Sequence, residues 1–286
     1  MPSRRHRRLG GAAAIIGRRR VAPRPRTVAN TTLVSAHFPL RLVGRRMLAP
    51  SVGHYVLARD DGQPLDFRPG QFIQVHFTGA DGAPRRRSYS LATRHDHALG
   101  PGEAVEIAVS YLPGGAATAL FEALEVGGQV QASGPYGRFC LVPGDSNRRY
   151  LLIATGTGVT PYRSMLPDLA RLMAERDLEV VLMLGARSPA ELLYGEEFRA
   201  FADQHPGFRF VPCFSRELPG PDSPHAHADV RQGYVQQHLG EFAPDPASDI
   251  AYLCGNPDMV DACFDALKEQ GFGPARIRRE KYVSNA

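Results

Sequence analysis

Cysteine is scarce. The chain of 286 residues has four, Cys140, Cys213, Cys254 and Cys263, and they lie far apart, without the close spacing that zinc or iron–sulfur ligands need. That excludes a cysteine-built metal centre and predicts reduced thiols in a cytoplasmic protein. Long hydrophobic runs are missing as well. The apolar stretch 9–17 is flanked by arginines on both sides and is too short to span a bilayer; no clear small-residue cleavage site follows it. Acidic residues are absent from the first 26 positions, which hold nine arginines, so without that segment the formal net charge of +5 becomes −4. The remainder is mildly acidic and lacks the basic face of a nucleic-acid-binding domain; no aromatics are interleaved with the arginines of the tail. Residues 1–36 are therefore expected to be a disordered basic tail. Weak contact with anionic lipid or an acidic partner is the second reading, and the Arg-rich start also resembles a transit peptide.

What is present falls into two halves of different period. From residue 37, short alternating or apolar segments are separated by Gly and Pro turns, which predicts an antiparallel β-barrel with strands over 40–48, 53–58, 72–77, 86–92, 104–111 and 129–133, and one helix over 117–124. After Pro143, strands alternate with helices: strands 150–155, 179–185, 208–214 and 251–255, and helices 162–175, 192–204 and 257–270. That is the pattern of a parallel α/β domain. The expected boundaries are 37–145 for the barrel and 146–286 for the α/β domain. No internal repeat is found, and the loop 218–229, with His225 and His227, is expected at the surface.

Two stretches carry chemistry. "LLIATGTGVTPYRSML" reads as a buried strand, a turn with Gly156 and Gly158, and a helix opened by Pro161. Small residues there let a ligand approach the backbone, and the free amides of a new helix favour a phosphate. The stretch does not meet G-x-G-x-x-G, and by itself an ordinary βα loop explains it equally well. "RRRSYSLAT" puts Arg87 and Tyr89 on one strand face and Ser88 and Ser90 on the other. It suits an edge strand, or a flat phosphorylated ligand: charge for phosphate, ring for stacking, hydroxyl for a ring nitrogen. Gly114, Gly115 and Thr118, in "YLPGGAATALF", form a second candidate phosphate cradle.

In order and spacing, Arg87-Ser88-Tyr89-Ser90, Gly115 with Thr118, "GPYGRF" at 134–139, "GTGVTP" at 156–161, "SRE" at 215–217 and "CGNPDM" at 254–259 together resemble the ferredoxin-NADP reductase family over about residues 37–283. The resemblance implies an FAD barrel followed by an NADP(H) domain, with the active site between them. It places Arg87 on the flavin phosphate, Ser88 beside it, Tyr89 on the isoalloxazine and Ser90 near N5. Gly114, Gly115 and Thr118 would meet the pyrophosphate, which favours FAD over FMN. Gly156, Thr157, Gly158 and Pro161 would line the dinucleotide site, with Arg187, Ser215 and Arg216 reading the 2′-phosphate of NADPH; Arg231 is an equal candidate for a solvated surface residue. Cys254 would stand beside the nicotinamide, with plain strand packing as the alternative, Glu280 would aid proton transfer or nicotinamide placement, and Tyr282 would cover flavin or adenine. The implied activity is hydride transfer from NADPH to FAD and onward electron transfer, the chain acting as a monomer. With no cluster motif of its own, it would deliver electrons to a separate ferredoxin or flavodoxin. The alternatives are the reductase component of a separate oxygenase, an NAD(P)H-flavin reductase, and a non-catalytic flavin-binding module.

Overall fold

The structure is a computed structural model that describes residues 37–283 apart from 96 and 98; the expected basic tail lies outside the described residues. The first half contains β1 (Phe38–Ala49), β2 (Val52–Arg59), β3 (Phe72–Thr78), β4 (Pro84–Ser90), β5 (Ala104–Ser110), α1 (Ala116–Ala123) and β6 (Gln129–Tyr136). The strands form one antiparallel sheet in the order β4-β3-β6-β1-β2-β5. Alternation drives it: Phe38, Leu40 and Leu42 of β1 and Ile73 and Val75 of β3 are buried, while the residues between them face outward. A bridge between Leu91 and Ile107, with Ala92 N donating to Glu106 O at 2.7 Å, joins the two edges of the sheet and closes it as a barrel. Both ends of α1 are tied to this wall. The Thr118 hydroxyl accepts from Leu112 N at 2.8 Å, and Arg45 donates to the Leu124 and Glu122 carbonyls at the last turn.

The second half contains β7 (Arg149–Thr155), α2 (Thr160–Glu175), β8 (Glu179–Ala186), α3 (Gly195–Gln204), β9 (Phe208–Phe214), β10 (Arg231–Gln232), α4 (Val235–His238), β11 (Asp249–Gly255), α5 (Pro257–Glu269) and β12 (Ile277–Lys281). All six strands pair in parallel, in the order β10-β9-β8-β7-β11-β12. The central strands are apolar on both faces, as burial between two helical layers requires. The chain runs outward from β7 in one direction as far as β10, then returns to lay β11 on the other side of β7. This reversal opens a crevice at the carboxyl ends of β7 and β11.

The expected elements are present with shifted ends, and the shifts have causes. Pro161 fits the first turn of α2, so the helix starts at Thr160 rather than at 162. α3 starts at Gly195 rather than at 192, because Leu192, Leu193 and Tyr194 turn into the core and Tyr194 adopts φ +55° to do so. β12, β10 and α4 were not anticipated: β12 carries alternating charges, and the other two are only two and four residues long. Among the described residues no helix is long and apolar enough to cross a membrane.

At the far end of the second sheet, Asp249 is fully buried and accepts from Arg149 Nη2 at 2.6 Å and Asp245 N at 2.9 Å. Replacing it by alanine strands the Arg149 charge. Asp249→Ala is expected to lower unfolding free energy in urea by about 3 kcal/mol.

Candidate functional site

The crevice at the strand reversal is a cavity of about 570 Å³ bounded by Gly156 and Thr157 after β7, Arg187 after β8, Ser215 after β9, and Asn256 after β11. Gly156 has φ +52°, a conformation glycine adopts without strain. A Cβ on Gly158 would stand 2.3 Å from the Cys254 carbonyl oxygen, so the turn can lie against β11 only because that residue has no side chain. α2 leaves this turn without a side-chain cap. Thr160 N donates to Thr157 O and Pro161 has no N–H, so the amides open to an anion at the mouth of the crevice are those at the start of the 3-10 turn Gly156–Val159 that leads into α2, where no side chain caps it either. Arg187 reaches the cavity but is held by Glu191, Nε to Oε2 2.6 Å, and Glu191 also lines it. Arg216 is exposed and does not line the cavity; its backbone amide donates to Arg187 O at 3.0 Å and ties the two loops together. Arg231 pairs with Glu241 at 2.9 Å.

On the barrel side, a second cavity of about 440 Å³ is lined by Arg87, Ser88, Tyr89 and Ser90 of β4, by Gly115 and Thr118, and by Glu280. A third, of about 500 Å³, continues from it along α1 and adds Gly114. Gly115, Ala116 and Thr118 line both, so the two form one elongated trough crossing the start of α1, where no side chain caps the helix. Tyr89 stands edge-on to Phe121, ring centroids 5.3 Å apart, and burial pushes its hydroxyl pKa up. The arrangement suits a long ligand with a planar head and a phosphate waist. Two buried polar atoms on the wall, Thr160 Oγ1 and Glu280 Oε2, have no partner among the described residues, and a ligand rich in heteroatoms would supply one.

The two cavities share Ser110, Thr157 and Tyr282. Thr157 Oγ1 and Ser110 Oγ lie 3.4 Å apart across the junction. Tyr282 follows β12, with its amide donating to Gly255 O at 2.8 Å, and its hydroxyl is hydrogen-bonded to Ser90 Oγ and to the Cys254 thiol. Cys254 is thus fully buried beneath Tyr282 and lines neither cavity. Burial holds its thiol pKa well above the usual value, so it is no thiolate nucleophile. Glu280 is paired in register with Cys254 on the next strand, and burial raises its carboxyl pKa.

Of the residues singled out in the sequence, thirteen line these cavities and Cys254 lies beneath Tyr282 at their junction. Gly158 and Pro161 are buried behind the turn, where they serve the approach to β11 and the start of α2 rather than the cavity surface, and Arg216 points away. Sequence reasoning missed Thr160, Glu191 and Tyr234. Tyr234 is 59% exposed on the rim of the first cavity. A solvent-facing tyrosine beside Gly233 was the available signal for it.

The raised pKa of Glu280 means that the folded protein binds its proton more tightly than the unfolded chain. Its ionisation therefore removes stability as pH rises through the folded-state value, and the penalty is absent below the unfolded one. Glu280→Gln is expected to melt higher than wild type at pH 8 and level with it at pH 4, in thermal scans at both values.

Comparison with known proteins agrees with this geometry. The family model described as oxidoreductase FAD-binding domain matches residues 39–140, and that described as oxidoreductase NAD-binding domain matches 152–265. The reductase subunit of an aromatic O-demethylase from Amycolatopsis is 38% identical over 227 residues, which are 77% of this chain and 62% of that protein. The chain thus spans less than two thirds of that relative. Ferredoxin-NADP reductase B from Sorangium cellulosum is 32% identical over 253 residues, 86% of this chain and 97% of that one. Among solved structures, a cytochrome P450 reductase from Amycolatopsis superposes with a TM-score of 0.73 at 33% identity, covering 87% of this chain and 70% of its own. With both cofactor domains matched in order and a relative matched over nearly its whole length, the chain belongs to the ferredoxin-NADP reductase-like family of FAD- and NAD(P)-binding oxidoreductases.

Proposed function

We propose that the protein oxidises NADPH through bound FAD and passes the electrons to a separate carrier, ferredoxin or flavodoxin. The observation that supports this reading most directly is the meeting of the two cavities at Ser110, Thr157 and Tyr282, which puts a dinucleotide crevice and a flavin trough in contact. In this reading residues 37–145 hold the flavin and 146–286 the dinucleotide. Arg87 and Ser88 hold the flavin phosphate, and Gly114, Gly115 and Thr118 cradle a pyrophosphate at the start of α1. The length of the trough beyond Gly115 favours FAD over FMN.

Tyr89 and Ser90 flank the planar head, Tyr89 by its ring and Ser90 by a hydroxyl able to donate or accept. When bound, the flavin supplies a centre that takes a hydride from the dinucleotide and releases electrons singly or in pairs. Tyr282, bonded to Ser90 and Cys254, covers the Cys254 thiol, and Glu280, kept protonated more readily by burial, offers a proton at the same junction. Gly156, Gly158 and Pro161 shape the turn that receives the dinucleotide pyrophosphate, and Thr157 faces both ligands. Arg187, with Ser215 on the adjoining loop, favours the 2′-phosphate of NADPH. Arg187 is itself exposed, so its pairing with the half-buried Glu191 is weak and a phosphate dianion can displace it.

A second reading has the same chemistry but delivers electrons to a separate oxygenase. The 38% identity to the O-demethylase reductase subunit favours it. In both readings the acceptor lies outside the residues of this chain.

Anaerobic titration of the purified protein tests the reading. A yellow protein bleached by stoichiometric NADPH, and more slowly by NADH, is the expected result; a colourless protein, or one that NADPH leaves yellow, overturns it. Arg187→Ala is expected to raise the KM for NADPH about tenfold, the worth of one charge-assisted hydrogen bond, and to leave that for NADH nearly unchanged. Reduction of added ferredoxin or flavodoxin at rates near that of ferricyanide supports the first acceptor, and failure with both carriers favours an oxygenase.

A further inference from the structure

We propose that Arg163 is a positioning residue for hydride transfer: buried where the barrel meets the α/β sheet, it holds the end of the Ser90 strand and the dinucleotide turn in fixed register. The inference rests on the oxidoreductase reading above, but its evidence is separate.

Arg163 lies on the first turns of α2, three residues after Thr160, whose side chain lines the flavin trough. Its guanidinium is buried and reaches partners on both halves of the protein. Toward the barrel, Nη1 donates to the Ala92 carbonyl at 2.6 Å and to the Glu106 carboxylate on β5. Ala92 is two residues beyond Ser90. Toward the α/β half, Nε donates to Glu197 Oε2 on α3 at 2.8 Å, and the guanidinium lies 4.8 Å from the centre of the Tyr194 ring. One planar cation therefore joins the chain just beyond Ser90 to α2, the helix that follows the turn Gly156–Val159.

The same junction is braced by neighbours that cross between the halves. Tyr194 Oη and His54 Nδ1 on β2 are 2.9 Å apart, and Arg46 and Arg94 of the barrel approach Glu197 at 3.4 and 3.5 Å. On the adjoining turn of α2, the Ser164 hydroxyl accepts from Gly70 N at 3.2 Å. His54, though 3.6 Å from Glu106, is neutral at ordinary pH because burial draws its pKa down to about 4. The buried positive charge facing Glu106 and Glu197 is then that of Arg163.

A buried ion cluster of this kind adds little net stability, since desolvation offsets the attraction, but its geometry is unforgiving. The fork of the guanidinium permits one relative placement of Ala92, Glu106 and Glu197. Loosening it would let the Thr157–Ser110 junction drift, and hydride transfer is steeply sensitive to such misplacement.

Rapid mixing of the FAD-loaded protein with whichever dinucleotide the wild type oxidises faster gives the test. In Arg163→Met the rate of flavin reduction per bound FAD is expected to fall at least about tenfold. The dissociation constant of the dinucleotide should change less than about threefold, because the crevice itself is intact. Arg163→Lys should fall between, having the charge without the fork. Hydrogen exchange in the resting protein supplies a readout independent of turnover. Amides of residues 156–166 should exchange faster in Arg163→Met, with those of β8 and β9 unchanged. An unaltered reduction rate per FAD, or faster exchange spread evenly over both sheets, overturns the proposal. If Arg163→Met does not fold, Glu197→Gln, which retains the shape and removes the charge, is measured the same way with the same criteria. A wild-type protein that neither dinucleotide reduces would overturn the oxidoreductase reading, and the exchange pattern would still decide the role of Arg163.

Discussion

The contact between Gly158 and the carbonyl of Cys254 governs the arrangement of the site. Two parallel strands that diverge into opposite directions of the sheet leave their carboxyl ends without a common covering helix, and the turn after the first must lie almost on the backbone of the second. From that contact α2 departs at one angle, anchored by Tyr162, whose hydroxyl bonds the Ile153 and Tyr252 carbonyls of β7 and β11. The uncapped amides at the turn, the shared wall at Thr157 and the placement of Arg163 against the barrel all follow from this departure.

The polar groups of the junction are arranged at some cost. Thr160 Oγ1 and Glu280 Oε2 are buried without partners among the described residues, and Tyr282 bridges Ser90 and Cys254 in a position that a planar ligand would contest. A protein selected for stability alone would satisfy or remove such atoms. Their place on one wall, facing a trough with uncapped helix amides at its waist, suits a surface completed by its ligand.

Electrostatics divides into two regimes across the molecule. At the crevice, the exposed cation of Arg187 pairs with a half-buried Glu191 and can exchange partners cheaply. Beneath the junction, a buried Arg163 is held between the half-buried carboxylates of Glu106 and Glu197, and removing a carboxylate would leave its charge short of a partner. The first regime suits selection among ligands, and the second suits holding two halves in register.

Much of this was legible in the amino-acid sequence, because it depends on local rules. Period-2 alternation followed by apolar strands and 3.6-residue helices marks an antiparallel barrel and then a parallel sheet. The spacing of glycines and Pro161 marks a strand–turn–helix, and Arg87 to Ser90 share a strand whatever the rest does. Other features were not local. β12, with its alternating charges, becomes a strand only because β11 offers an unpaired edge, and without it Glu280 has no neighbour in Cys254. Gly158 and Arg216 read as ligand contacts, but one is consumed by packing and the other turns outward. The sequence by itself determined the order of the two sheets and the residue types at each turn, since these follow from periodicity and backbone sterics. Only the tertiary structure decided which side chains face the cavities and that Arg163 joins the halves, because those outcomes depend on contacts between residues some seventy positions apart, such as Arg163 and Ala92.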